Sequence, residues 1–351
     1  RYWRDWSSDV CSSDLPNIKL GFDIQDTCLI NKLAMRSALE FVNYNDYASS
    51  NANFKINASS TCPGVIRTRQ IVPVSAVIGT GTSRSSTLVS NILQVQDMPL
   101  VSYAATSDQL SSKNFPNFLR TVPPDRFQSK AMVDIARYFN WTYVAAIAAD
   151  DPYGRKGTEY FRNHAKSRGI CLALERYFPV KGATTDRIEV IKDIIKELKS
   201  HPKVAVVVLY CDWKGARDVV IQAEKQGVTG ITWIASEAWT TDRFVSHLPK
   251  DFPRRLVKGV IGVSLRNVLV EKFKRYMLSL NSTYQPTGWW RKFWKHKMWE
   301  DKLNCTVGST PGMKKCPFPL KITESIYKHL HDEKDAAVID ATYAIAKAID
   351  N

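Results

Sequence analysis

Hydrophobic residues fall in short runs separated by stretches of helical period, and the alternation continues along most of the chain. Strand-like runs occur at IKLGFDI (18–24), SAVIGTG (75–81), PLVSYAAT (99–106), TYVAAIAAD (142–150), ICLALERYF (170–178), VAVVVLYC (204–211), TWIASEAW (232–239) and VKGVIGVSL (257–265). Between them Phe127, Ala131, Ile135 and Phe139 recur every fourth residue, and Ile188, Ile191, Ile195 and Leu198 form a second apolar stripe. That spacing predicts helices. Alternating βα units predict an α/β fold of parallel sheets covered by helices on both faces. So many strands and crossovers exceed what one compact lobe usually holds, so two lobes with one sheet each are expected. The Pro-rich turn TVPPD (121–125) is the expected first crossing, and the stretch after Gly259 the return. Lobe 1 is then 16–121 plus 265–351, and lobe 2 is 122–264.

Residues 5–15, DWSSDVCSSDL, follow no globular pattern and look like one reading frame of a sequencing-library adapter. Residues 1–15 are therefore read as a non-native leader and set aside. The remaining chain has the composition of a globular protein, 44% hydrophobic and 24% charged. Its longest apolar run, Val204 to Tyr210, is too short to cross a bilayer, so any membrane anchor is expected outside this stretch.

Charge changes the picture little. The formal net charge is +15, or +16 once Arg1, Arg4, Asp5, Asp9 and Asp14 are removed. The cations are dispersed through segments such as KDIIKELKS (192–200) and EKFKRYM (271–277), and no recognition motif accompanies the densest patch, WWRKFWKHKMWEDK (289–302). A nucleic-acid partner is therefore not expected.

Cysteines and sequons point outside the cell. Cys305 and Cys316 bracket a Gly/Pro/Lys loop that a disulfide could close, whereas Cys171 and Cys211 lie in predicted strands and read as buried thiols. Asn57, Asn140, Asn281 and Asn304 each begin an N-x-[ST] acceptor sequence.

The chemistry-bearing motifs lie at strand ends, where an open α/β sheet collects its ligand. In GTGTSRSST (79–87), glycines and hydroxyl residues lead into the helix STLVSNILQV, so Ser83, Ser85 and Ser86 surround a helix N-terminus. Such an end binds an anion such as a carboxylate, or one serine simply caps the helix. The pattern is not a nucleotide loop, because Arg84 stands where the third glycine of G-x-G-x-x-G would be. SYAATS (102–107) brings small residues and Thr106 to the next strand end. Asp125, Tyr153 and Glu237 offer the opposite chemistry, two carboxylates and an aromatic ring, which suit an ammonium. Asp125 could instead cap the helix 126–139, and Tyr153 could pack in a turn. A zwitterion such as an α-amino acid would satisfy both groups. No G-x-S-x-G, H-E-x-x-H or phosphate loop is present, and no enzyme activity is expected.

FLRTVPPDRFQSKAMVDIARYFNWTYV (118–144), DDPYGRKGTEYFR (150–162) and WIASEAW (233–239) resemble the extracellular Venus-flytrap domain of family C G-protein-coupled receptors, the group of metabotropic glutamate and calcium-sensing receptors. The resemblance runs from PNIKLGFDIQDTC (16–28) to VIDATYAIAKAID (338–350). It implies a two-lobed periplasmic-binding-protein type I fold that closes on an amino acid. By it, Ser83, Ala104 and Thr106 match positions that hold the α-carboxylate, and Asp125, Tyr153 and Glu237 positions that take the ammonium. Lys334 matches a lysine that meets the side-chain carboxylate in glutamate receptors. Glu237 in ASEAW is like the calcium-sensing, taste and pheromone branch, while Lys334 is like the glutamate branch, so the ligand side chain stays open. Leu209 stands where glutamate receptors have the first cysteine of a near-vicinal pair, which leaves Cys211 a free thiol. The family's first strand–helix unit, with a cysteine partner for Cys28, has no counterpart upstream of Pro16. Cys62 in SSTCPG resembles the cysteine that links two protomers, so a homodimer or heterodimer through lobe 1 is implied. So are a cell-membrane receptor with this region extracellular, and a G protein reached through a transmembrane domain. A calcium co-agonist is possible by the same resemblance, with no located site. A secreted or periplasmic-type binding protein and a cyclase-type hormone receptor ectodomain are the alternatives.

Overall fold

The computed structural model describes residues 20–49, 73–180, 182–240, 244, 248–249, 251–253, 257–266, 268–280, 305–306, 314–315, 321–324, 326–327 and 334–350. The leader, Cys62, Cys316, Asn57, Asn281, Asn304 and the 289–302 patch lie outside them. The chain divides into two compact units, one of Thr27–Arg266 and one that joins Arg1–Asp26 with Asn267–Asn351.

The larger unit contains two parallel sheets. After α1 (Asn31–Ser49), three strands pair in the order β1 (Val77–Ile78), β2 (Leu100–Ser102), β3 (Phe118–Arg120), with α2 (Ser83–Leu93) between the first two. β2 is buried throughout. Its core gathers Ala38 and Phe41 of α1, Val89 and Leu93 of α2, and Leu100. The TVPPD segment follows β3, and among the described residues every later strand belongs to the second sheet. These are β4 (Tyr143–Ala149), β5 (Cys171–Phe178), β6 (Val206–Tyr210), β7 (Thr232–Ala235) and β8 (Ile261–Gly262), in the order β5-β4-β6-β7-β8.

This second sheet shows why its inner strands β4 and β6 read as unbroken apolar runs. Successive side chains point to opposite faces, and both faces are covered. Ala145, Ile147, Val207, Leu209 and Trp233 pack under α5 (Thr184–Lys199) and α6 (Trp213–Lys225). Val144, Ala148, Val206, Val208 and Ile234 pack under α3 (Asp125–Tyr138) and α4 (Pro152–Ser167). The α5 stripe is inside as expected, with Ile191 and Ile195 fully buried.

Four expectations are corrected. Residues 20–24 form no strand, because an apolar run becomes a strand only where another strand completes its hydrogen bonds. β3, an edge strand of three residues, was not among the expected runs. On α3 the stripe read from the sequence lies off the centre of the buried face: Phe127 is 57% and Phe139 49% exposed, Ala131 and Ile135 are half-buried with Ile135 packed against the core, and Gln128, Ser129, Met132, Val133 and Ala136 are buried. The inward face carries polar groups that find hydrogen bonds there, so polarity misreports burial. Cys171 is a free thiol but exposed, since it begins the edge strand β5; Cys211 is free and fully buried.

The smaller unit contains α7 (Glu271–Ser279) and α8 (Asp335–Asp350). Cys305, Ile322 and Tyr327 make a small cluster with Met277 and Leu278, and Cys305 is disulfide-bonded. Among the described residues no helix is long and apolar enough to cross a membrane.

Candidate ligand-binding site

The sequence places hydroxyl residues at the start of α2, and the structure assigns each a task. Thr82 caps the helix, its side chain accepting from the Ser85 N–H at 3.2 Å. The cap is therefore Thr82 and none of the three serines, because the residue before the first helical turn is the one whose oxygen reaches the free N–H groups. Ser85 Oγ donates to Asn31 at 2.7 Å, and Ser86 Oγ lies 3.0 Å from Thr80 Oγ1. Ser83 Oγ accepts the Ser107 N–H at 3.0 Å.

Ser107 then continues the connection. Its hydroxyl donates to the Pro152 carbonyl at 2.8 Å, at the first turn of α4. One residue earlier, the Thr106 carbonyl accepts the Asp125 N–H at 2.8 Å. The β2-end segment thus touches the starts of both α3 and α4. Ala104 is buried beside it, its N–H and that of Ala105 directed to Ser102 Oγ.

Asp125 is the first residue of α3, but Pro124 is the cap and no side chain completes it. The carboxylate turns inward and is fully buried. Gln128 joins it to the last motif: its amide N–H donates to Asp125 Oδ1, and its carbonyl oxygen accepts the Glu237 N–H at 3.2 Å. Glu237 opens a short 3-10 turn, Glu237–Trp239, directly after β7 and is 9% exposed. Tyr153, the second residue of α4, is also 9% exposed and meets Tyr210 edge-on at 5.9 Å. Tyr210 is fixed in turn by Ser129 at 2.6 Å.

Burial pushes the Asp125 carboxyl up to about 8; Thr106 and Gln128 oppose the rise, and Glu237 and Asp108 add to it. The Thr106 hydroxyl is near enough to favour the anion, yet it is outside hydrogen-bond geometry. The Tyr153 phenol is held well above its usual range, first by burial, then by Glu237 and Asp125, and stays neutral. Among the described residues Thr106 Oγ1, Asp125 Oδ2 and Tyr153 OH are buried with no hydrogen-bond partner. Such polar atoms are costly to bury alone, and grouped here they offer hydrogen bonds to a polar ligand.

A cavity of about 550 Å³ lies nearby over α4 and β5, lined by Gln109, Asp150, Pro152, Arg155 and Tyr177 among others. Its charges already pair, Arg155 with Asp150 at 2.5 Å and Arg162 with Glu175 at 2.6 Å, so the buried cluster is the better site. Lys334 lies in the smaller unit, just before α8. Gln128 and Ser107 were not anticipated as site residues. Among the described residues no group of three or more His, Cys, Asp or Glu could hold a metal ion.

Comparison with known proteins adds a family. The family described as "receptor family ligand binding region" matches residues 9–351. The chain is 33% identical over 292 residues to the extracellular calcium-sensing receptor of Sus scrofa, covering 83% of this chain and 25% of that protein. Identity, length and coverage are the same for the extracellular calcium-sensing receptor of Homo sapiens. With the metabotropic glutamate receptor of Drosophila melanogaster it shares 31% identity over 359 residues, 96% of this chain and 35% of that protein. The chain thus spans between a quarter and about a third of the length of these relatives.

Proposed function

The chain belongs to the receptor family ligand binding region, and from that premise we propose that it is the extracellular amino-acid-sensing part of a family C G-protein-coupled receptor. Its relatives are receptors and not enzymes. The observation that carries the reading is the buried group of Asp125, Tyr153 and Glu237, with Asp125 Oδ2 and Tyr153 OH lacking partners. An ammonium would pair with the carboxylates and lie against the Tyr153 ring. Ser83, Ala104 and Thr106, at the strand and helix ends facing that group, receive the α-carboxylate.

The lobes in this proposal are 16–121 plus 265–351 and 122–264. An amino acid docks first through its carboxylate; closure then brings Asp125, Tyr153 and Glu237 onto its ammonium. Only the closed form makes both sets of contacts, and that difference in affinity shifts the equilibrium. In the whole receptor, closure within a homodimer or heterodimer formed through lobe 1 is passed to the transmembrane domain and a G protein. Lys334 would reach an acidic ligand side chain.

The test is thermal stability of the full ectodomain against the twenty amino acids and calcium, with Ser83→Ala and Glu237→Ala alongside. A shift for a few amino acids that both variants lose supports the clamp. A well-folded sample that shifts with none of them rejects it, and a shift with calcium alone moves the agonist to the cation.

A further inference from the structure

Asp125 makes the proposed ammonium contact, yet its helix begins without a cap side chain of its own. Pro124 stands in the cap position and has no side-chain hydrogen bond to give. The free N–H groups of a first helical turn need partners. Here they find them in a different part of the chain, the 3-10 turn Asp108–Ser111 and the residues just before it. The Asp125 N–H donates to the Thr106 carbonyl at 2.8 Å, and the Arg126 N–H donates to Asp108 Oδ2 at 2.7 Å, across 18 residues of sequence.

The Asp108 side chain is 2% exposed, and its other oxygen, Oδ1, pairs with the Arg126 guanidinium at 2.6 Å. One buried carboxylate therefore takes both the main-chain and the side-chain donor of a single residue, with its charge at the positive end of α3. The segment that carries Asp108 is itself held. Arg120 of β3 donates from Nη1 to the carbonyls of Ser107 at 2.9 Å and Ala105 at 3.3 Å. Burial lowers the Arg120 pKa, and Asp108 and Asp125 oppose that fall, so a cation stands near both carboxylates.

We propose that Asp108 is a positioning residue of the ligand site: by capping α3 from outside the helix it holds the first turn, and with it the Asp125 carboxyl, in place beside Glu237. The ligand in this inference is the amino acid of the reading above. Gln128 ends the same turn and joins Asp125 to the Glu237 backbone, so fraying of the turn disturbs both acidic residues at once. Asp108 follows Thr106 by two residues, on the side that receives the α-carboxylate, and so ties the two halves of the zwitterion site together. An amino acid binds the ordered turn, and its apparent affinity falls with the fraction of molecules that have it.

The experiment compares the full ectodomain with Asp108→Ala, Asp108→Asn and Asp108→Glu. Asparagine keeps an oxygen for the Arg126 N–H and gives up only the ion pair, whose Arg126 side chain is 46% exposed and can turn to water. Glutamate keeps the charge and misplaces the oxygen; it takes the place of alanine if the alanine variant does not fold. Hydrogen exchange without amino acid, read by mass spectrometry on peptide 122–132, is expected to quicken about fivefold in Asp108→Ala and Asp108→Glu and to stay near the parent rate in Asp108→Asn. Calorimetric titration with each of the twenty amino acids is expected to find the same few bound by every protein, about fivefold more weakly by the alanine and glutamate variants and almost normally by the asparagine variant. A variant that loses Tm yet binds as tightly as the parent makes Asp108 purely structural and overturns the proposal. Unchanged exchange in peptide 122–132 also overturns it, as does an asparagine variant that binds as weakly as alanine. Faster exchange in Asp108→Ala, in a protein whose parent binds no amino acid, would sink the ligand reading and leave Asp108 as the anchor of Asp125.

Discussion

The Ser107 hydroxyl donates a hydrogen bond to the carbonyl oxygen of Pro152 at 2.8 Å. Its N–H donates at the same time to Ser83 Oγ at 3.0 Å, so one residue ties the start of α2 to the start of α4. Substituting it removes a bond between the two halves of the proposed clamp. Ser107→Ala is expected to weaken amino-acid binding about fivefold, the equivalent of about 1 kcal/mol for one hydrogen bond. Titration calorimetry on the full ectodomain reads this directly, and an unchanged affinity would mean that the bond is absent from the ligand-bound form.

Gln128 bridges Asp125 and the backbone of Glu237. Gln128→Leu keeps the volume and leaves both groups without that bridge, at an expected cost of about 1–3 kcal/mol. The loss should be larger at pH 8.5 than at pH 6, because the Gln128 N–H bonds the ionised Asp125 carboxylate more strongly than the protonated carboxyl. Urea denaturation at the two pH values decides; equal losses argue against charge coupling.

Asp125 titrates in the folded protein at about 8, against an ordinary value of 3.8. The folded state therefore holds the proton more tightly than the unfolded chain. Stability from this group is fully present below about 4 and is lost as pH rises through about 8. Asp125→Asn should flatten the fall in stability between pH 5 and 8, as thermal melts without ligand would reveal.

Binding should couple to the same proton. An ammonium pairs with the ionised carboxyl, so close to one proton is expected to leave for each amino acid bound near pH 7. Calorimetry in buffers of different ionisation enthalpy measures that number. Heats that do not depend on the buffer would place the ammonium elsewhere.

Gly154 and Gly157 set how closely α4 approaches the sheet. A β-carbon at Gly154 would come within 2.1 Å of the Ala149 carbonyl oxygen, and one at Gly157 within 2.5 Å of the Tyr210 ring. Backbone cannot yield as a ring can. Gly154→Ala is expected to cost about 3 kcal/mol and Gly157→Ala about 2 kcal/mol. Gly157→Ala should also disturb the Ser129–Tyr210 bond and the Tyr153 ring beside it. Chemical denaturation ranks the two, and a Gly154→Ala protein as stable as the parent would mean that α4 sits farther from β4.

The sequence by itself determined the βα alternation and much of its register. β4, β5 and β6 are where the apolar runs put them: helices cover both faces of their sheet, β4 and β6 carry no charged position, and Glu175 and Arg176 interrupt only the edge strand β5. The strand-end motifs were legible for the same reason: glycine, hydroxyl and carboxylate residues stand out directly after apolar runs. Tertiary structure alone decided the rest. The run at 18–24 has the composition of a strand, yet strands exist only where a neighbour completes the ladder. The spacing on α3 revealed a helix but caught only the margin of its buried face, because Gln128 and Ser129 look solvent-facing until their partners Asp125, Glu237 and Tyr210 are known. Ser107 likewise gives no signal in the chain, since what it joins lies 24 residues before it and 45 residues after it. Patterns report which residues avoid water; which polar groups find each other inside is settled only when the elements pack.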